Sequence, residues 1–141
     1  MITLGELGEK IVSTWLEPQN YQILHHRWHC RWGEIDLIAL DSNNSELVFI
    51  EVKTRKPQNW DQNGLEALNI NKQKKIYTTA QIFLSKNPLW QNYNCRFDLI
   101  LSTYIIRKNN SNQGSIKILN SNQIMYKNHI FTIKDHLKNV L

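Results

Sequence analysis

Apolar residues recur at Leu4, Leu7, Ile11, Val12, Trp15 and Leu16, the three- and four-residue spacing of a helix with one broad buried face. Thr3-x-x-Glu6 is a capping box that opens this helix, and Pro18 stops it. From Tyr21 the period shortens to two. Tyr21–Leu24, Gly33–Leu40 and Glu46–Thr54 read as strands rich in β-branched and apolar residues. The last two flank Asp41-Ser42-Asn43-Asn44-Ser45, residues whose side chains bond the backbone in turns, so they are predicted to pair as an antiparallel hairpin. Helical spacing returns over Asn71–Lys86, with a stripe of Ile76, Ala80, Phe83 and Leu84 ended by Asn87-Pro88. Cys95–Ser102 is a further buried strand. Tyr104–Lys108 and Ser115–Leu119 suggest a closing hairpin across Asn109–Gly114, and Thr132–Leu141 a short amphipathic helix. The 141 residues show no repeat and no linker, so residues 1–141 are expected to form one α/β domain, a mixed central sheet flanked by helices.

Strand alternation gives this pattern a chemical content. Glu51 and Lys53 point to one face of their strand, Ile50 and Val52 to the other, and Asp36 can meet the charged pair from the neighbouring strand. Two carboxylates and an ammonium in an apolar sheet are costly unless paired or bound to a metal. One reading is a cross-strand ion pair at the sheet margin. The other is a hard divalent cation, Mg²⁺ or Mn²⁺, held by Asp36 and Glu51 through oxygen, with Lys53 steadying a water or a phosphate. Glu9 falls at the edge of the first helix's apolar face, beside Leu16, where it can lean toward such a metal or lie in solvent. Glu6 falls on the opposite side.

The segment D-(x)n-E-x-K in two joined strands resembles the core of the PD-(D/E)xK nucleases. The strings Gly33-Glu34-Ile35-Asp36-Leu37-Ile38-Ala39 and Val48-Phe49-Ile50-Glu51-Val52-Lys53-Thr54-Arg55 resemble the small bacterial YraN-like family, predicted nucleases similar to archaeal Holliday-junction resolvases. The likeness extends over about residues 5–131, through Gly5-x-x-Gly8-Glu9, Trp15-Leu16, Tyr21–Leu24, Arg31-x-Gly33, Gly64-x-x-Ala67, Lys72, Ile76, Ala80, Arg96-Phe97-Asp98 and Asn128-x-x-Phe131. One departure is plain, since Ile35 stands where the wider superfamily has a proline. The resemblance implies a restriction-endonuclease-like fold with an αβββαβ core and a C-terminal β-hairpin. It also implies a Mg²⁺ or Mn²⁺ site built from Asp36, Glu51 and the Val52 carbonyl, with Lys53 catalytic and Glu9 a third acid. The implied activity is an endonuclease acting on DNA, branched or linear, in repair or recombination, working as a homodimer. The alternative is a nucleic-acid-binding module of the same fold with little or no turnover.

Charge bears on the partner. The chain has a formal net charge of +5. Residues 1–60 hold six Lys/Arg against eight Asp/Glu, and residues 61–141 hold eleven against four, so the acids gather around the expected site and the bases beyond it. A basic protein with an acidic pocket suits a polyanion that reaches a metal. Lys72 lies one turn before Ile76 on the apolar stripe, so it is expected to point inward. Lys72, Lys74 and Lys75 crowd a helix start, where cations oppose the macrodipole; phosphate or Glu66 would offset this. With Arg55, Lys56 and Gln73 they are the candidate nucleic-acid contacts, Gln73-x-x-x-Tyr77 resembling a pattern of some nucleases of this superfamily. Trp60 lies on the polar loop 55–63 that would border the metal.

In His25-His26-Arg27-Trp28-His29-Cys30-Arg31-Trp32 the ligand spacing fits no closed four-ligand zinc set. Its Arg and Trp suit phosphates and unstacked bases, or its Trp residues pack on the sheet. Arg96 and Asp98 share a strand face and read as a structural pair. No apolar run approaches the ~20 residues of a membrane span, and no signal peptide is expected. Cys30 and Cys95 read as free thiols in a reducing cytoplasm.

Overall fold

The computed structural model describes residues 2–57, 68–107 and 114–141. The expected contributions of Trp60, Gly64, Glu66, Ala67 and Lys108 lie outside these residues. In chain order the described elements are α1 (Leu4–Leu16), β1 (Tyr21–Cys30), β2 (Gly33–Asp41), β3 (Glu46–Arg55), α2 (Ile70–Lys86), β4 (Asn94–Ile106), β5 (Ile116–Ile118), β6 (Gln123–Tyr126) and β7 (His129–Leu137). They form one sheet in the order β1-β2-β3-β4-β7-β6-β5. Neighbours run antiparallel except β3 and β4, which are parallel. A parallel pair needs a crossover, and α2 lies in it. The result is a mixed sheet with a helix on each face, the restriction-endonuclease-like topology expected.

Each helix covers its own face of the sheet. Leu7, Ile11, Val12 and Leu16 of α1 pack on Leu37, Ala39, Val48, Ile50, Val52 and Ile100. Ala80 and Phe83 of α2 pack on Ile38, Leu47 and Phe49, and Ile76 of α2 packs on Leu99 and Leu101. Thr3 caps α1, its Oγ1 accepting the Glu6 N–H at 3.2 Å, and Asn69 caps α2 in the same way for Lys72. Gly8 lets α1 close on β3. A Cβ there would collide with Thr54 Oγ1 and stand 3.1 Å from Thr54 Cβ.

Two expectations at the C-terminal end need correction. Tyr104 and its neighbours do not pair with Ser115–Leu119. Instead β4 runs unbroken to Ile106 and pairs with β7, while β5 pairs with β6. Residues 132–137 are strand and not helix. The alternating burial of Phe131 and Ile133 fills the α1-side core, and β4 would otherwise present a long unpaired apolar edge. Pairing over eight registered positions outweighs the weak helical spacing of Ile133, His136, Leu137 and Val140. Beyond β7, Val140 still contributes, donating its N–H to the Phe97 carbonyl at 2.8 Å.

Among the described residues no helix is long and apolar enough to cross a membrane.

Candidate metal centre

The centre forms where two strands part. β2 and β3 stay in register from Asp41–Glu46 to Leu37–Ile50, and there their pairing ends. Beyond that point β2 continues against β1, while β3 continues against β4 as far as Arg55. The fork leaves the Val52 N–H without a β2 carbonyl. Asp36 takes that role, its Oδ2 accepting the Val52 N–H at 2.8 Å. A hydrogen bond from the main chain thereby fixes a carboxylate inside the sheet, beside the start of Glu51-Val52-Lys53.

Glu51 is neutralised twice. Lys53 Nζ and Lys72 Nζ each lie 3.1 Å from Glu51 Oε1, one lysine from the same strand and one from the first turn of α2. Lys72 therefore points inward from the helix start, as its place on the apolar stripe predicted. Burial, then the neighbouring Lys72, hold the Lys53 ammonium below its ordinary pKa, against the pull of Glu51.

Asp36 has no such partner. Among the described residues it forms no ion pair, and its pKa is pushed up to about 8. Burial is the largest cause, the Glu51 carboxylate the next, and Glu9 adds to them; the Val52 N–H and Lys53 pull the other way without prevailing.

Glu9 is buried at the margin of the same region, but its nearest cation is Arg27. The guanidinium grips both its oxygens, Nε to Oε1 at 2.8 Å and NH2 to Oε2 at 3.2 Å, and reaches Glu6 Oε1 at 3.5 Å. Arg27 sits in β1 with φ +51°, a left-handed conformation uncommon for a residue with a Cβ. Sequence reasoning weighed Arg27 only as a phosphate contact and missed this clamp. A helix carboxylate and a strand arginine eighteen residues apart carry no local signal of their pairing.

The remaining candidates spread around this centre. Lys74 and Lys75 are exposed on α2, and Arg55 and Lys56 are exposed at the end of β3. Gln73 donates to the Leu68 carbonyl at 2.7 Å and so braces the entry to α2. No group of three His, Cys, Asp or Glu side chains poised for a metal occurs among the described residues. The oxygen donors brought together here are two carboxylates on the parted strands and the main chain at Val52. They suit a hard cation, which favours oxygen and keeps several waters.

Arg96 and Asp98 form a separate network on the α1 face, as expected of a structural pair. Arg96 donates to Asp98, to Asp41 at 2.7 Å, to Glu46 at 2.9 Å and to the Tyr21 hydroxyl at 2.8 Å. Asp98 also meets His136 Nε2 at 2.7 Å and accepts the Asn139 N–H at 3.0 Å.

The sequence pattern of the uncharacterised protein family UPF0102 matches residues 8–101. A UPF0102 protein of Synechocystis sp. is 50% identical over 101 residues, spanning 72% of this chain and 67% of its own. One of Trichodesmium erythraeum is 46% identical over 128 residues, 83% of this chain and 71% of its own. One of Thermosynechococcus vestitus is 48% identical over 98 residues, 70% and 78% respectively. The matched span runs from Gly8-Glu9 through the fork and α2 to β4, so every residue of the centre falls inside it.

Proposed function

We propose that this chain, which belongs to the UPF0102 family, is a metal-dependent endonuclease acting on DNA phosphodiesters. Its fold and family are consistent with nucleic-acid-binding PD-(D/E)xK-like proteins, and the step from there to catalysis rests on one observation. Asp36 is a half-buried carboxylate fixed by the main chain, next to a second carboxylate, with no cation of its own among the described residues.

A scaffold gains nothing from such a group, because its charge can form there only at a cost in stability, and its pKa rises accordingly. A divalent cation resolves it. Asp36 and Glu51 would hold Mg²⁺ or Mn²⁺ with the Val52 carbonyl, and Glu9 would stand behind them at the margin, tied to Arg27. The cation would supply Lewis-acid stabilisation of charge on the phosphate and make a water more acidic.

The chain's own residues do the rest. The Val52 N–H keeps Asp36 from rotating out of the fork. Glu51 gathers Lys53 and Lys72 at one oxygen. From there Lys53 would orient the attacking water, and Lys72 would take a phosphate oxygen. Lys74, Lys75, Arg55 and Lys56 extend the positive surface along which a backbone could lie.

Calorimetric titration of Mn²⁺ into the wild-type protein and into Asp36→Ala, beside a plasmid-nicking assay in Mg²⁺, tests this reading. The expected result is binding and nicking by the wild type and neither by the variant. Equal heats in both proteins would remove the metal centre.

A further inference from the structure

Arg31 and Trp32 form the two-residue turn between β1 and β2, with Cys30 paired to Gly33 at its base. Turns of this length favour Asn-Gly or Asp-Gly, because their central residues readily take positive φ. Neither Arg31 nor Trp32 has positive φ, and neither is small. Local turn chemistry therefore does not account for this pair.

Packing does not account for it either. Trp28, four residues earlier, packs edge-on against Phe83 at 5.2 Å. Trp32 is 55% exposed. The Arg31 guanidinium lies 4.7 Å from the Trp32 ring centroid and braces the indole.

The tip also has a fixed address. A Cβ on Gly33 would stand 2.7 Å from Thr79 Oγ1 and 3.8 Å from the Lys75 carbonyl oxygen. Glycine thus seats the hairpin tip directly on α2, beside Lys75 and the other lysines of the helix start. Along β2, Asp36 follows Trp32 by four residues, about 13 Å at strand rise.

We propose that Trp32, braced by Arg31, is a stacking site for an unpaired nucleobase, so that this chain engages DNA at a junction of duplex and single strand. The inference rests on the nuclease reading and narrows its substrate. Every base offers a π-face to an aromatic ring, and arginine adds cation–π and phosphate contacts, so such a site tolerates sequence but requires an unstacked base. Arg31 at the tip and the exposed Lys74 and Lys75 of α2 supply positive charge that complements phosphate. Trp32 in an otherwise apolar patch would instead suit a protein partner.

Fluorescence anisotropy in EDTA compares a duplex bearing a single-stranded arm with a fully paired duplex of equal length. A 2-aminopurine in the arm reports stacking. The wild type is expected to bind the armed duplex more tightly and to quench the 2-aminopurine. Trp32→Ala should weaken armed-duplex binding by about 5- to 150-fold and abolish the quench. Trp32→Phe should keep most of both, and Trp32→Leu neither, with melting midpoints near wild type in all three. Equal wild-type affinity for the two DNAs, or a preference and quench that survive in Trp32→Ala, would overturn the stacking site alone. A wild-type protein that binds neither DNA would overturn the nuclease reading beneath it.

Discussion

Asp36→Asn in metal-free protein tests the centre without any assumption about substrate. Asparagine can still accept the Val52 N–H, so the fork is kept and only the ionisable group is lost. The carboxyl of Asp36 is raised from an ordinary 3.8 to about 8, by burial first and then by Glu51. The sign follows from proton binding. Below pH 4 both folded and unfolded chains hold the proton, and Asp36 contributes no pH dependence. Between pH 4 and 8 only the folded chain holds it, so stability falls as pH rises, at most ~1.4 kcal/mol per pH unit. Above pH 8 both states are ionised and the loss is complete. From pH 5 to pH 8 this one group should cost roughly 3–4 kcal/mol.

Urea unfolding in EDTA at several pH values, for wild type and variant, isolates the effect, because titration elsewhere cancels in the difference. The wild type should lose stability relative to Asp36→Asn across that range, so the variant is the more stable protein at pH 8. Millimolar Mg²⁺ should flatten the wild-type profile, since a cation replaces the proton and binds only the folded chain. The variant should not respond. Parallel profiles for the two proteins in EDTA would show that Asp36 is ionised in the native state without a cation, which would remove the proposed metal centre.

Lys53→Ala leaves Glu51 paired with Lys72, so it should melt near wild type yet cut about 10²–10³-fold more slowly in a nicking assay; wild-type cutting would remove Lys53 from the mechanism. Arg96→Met strands Asp41 and Asp98 in the core and should cost about 3–5 kcal/mol by urea unfolding; a change under ~1 kcal/mol would mean the network is not held by its charge. Gly8→Ala drives a methyl into Thr54 and should destabilise by about 1–3 kcal/mol, with Thr54→Ala recovering part of the loss in the double variant.

The fork was half legible in the sequence. Alternation over Gly33–Leu40 and Glu46–Thr54 placed Glu51 with Lys53 and brought Asp36 toward them, because period two is a local property of the chain. The position of Lys72 on the apolar stripe of α2 likewise brought it inward, and it meets Glu51. What no local pattern carried was pairing between distant segments. The clamp on Glu9 joins α1 to Arg27, a left-handed residue within β1. The C-terminal strands failed for a related reason. Spacing alone made residues 132–141 helical, whereas the choice was made by β4, thirty residues earlier, which needed a partner along its edge.

Two charged clusters looked alike in the sequence and behave in opposite ways in the fold, and that contrast separates scaffold from site. Arg96-Phe97-Asp98 and Glu51-Val52-Lys53 each place opposite charges two residues apart on one strand face. In the first, burial would raise Asp98, but His136, Arg96 and the Asn139 N–H hold it below the ordinary carboxylate range. Asp41 is held down in the same way by Arg96 and Asn44, against its own burial. Those acids have already found their cations and donors, and a metal would have to displace them. In the second cluster Glu51 takes both lysines, Glu9 takes Arg27, and Asp36 is left to rise toward neutrality between the two other carboxylates. On the proposed reading, a fold that saturates one acidic cluster so fully, and leaves another open at the point where two strands part, keeps the second for a cation it does not itself supply.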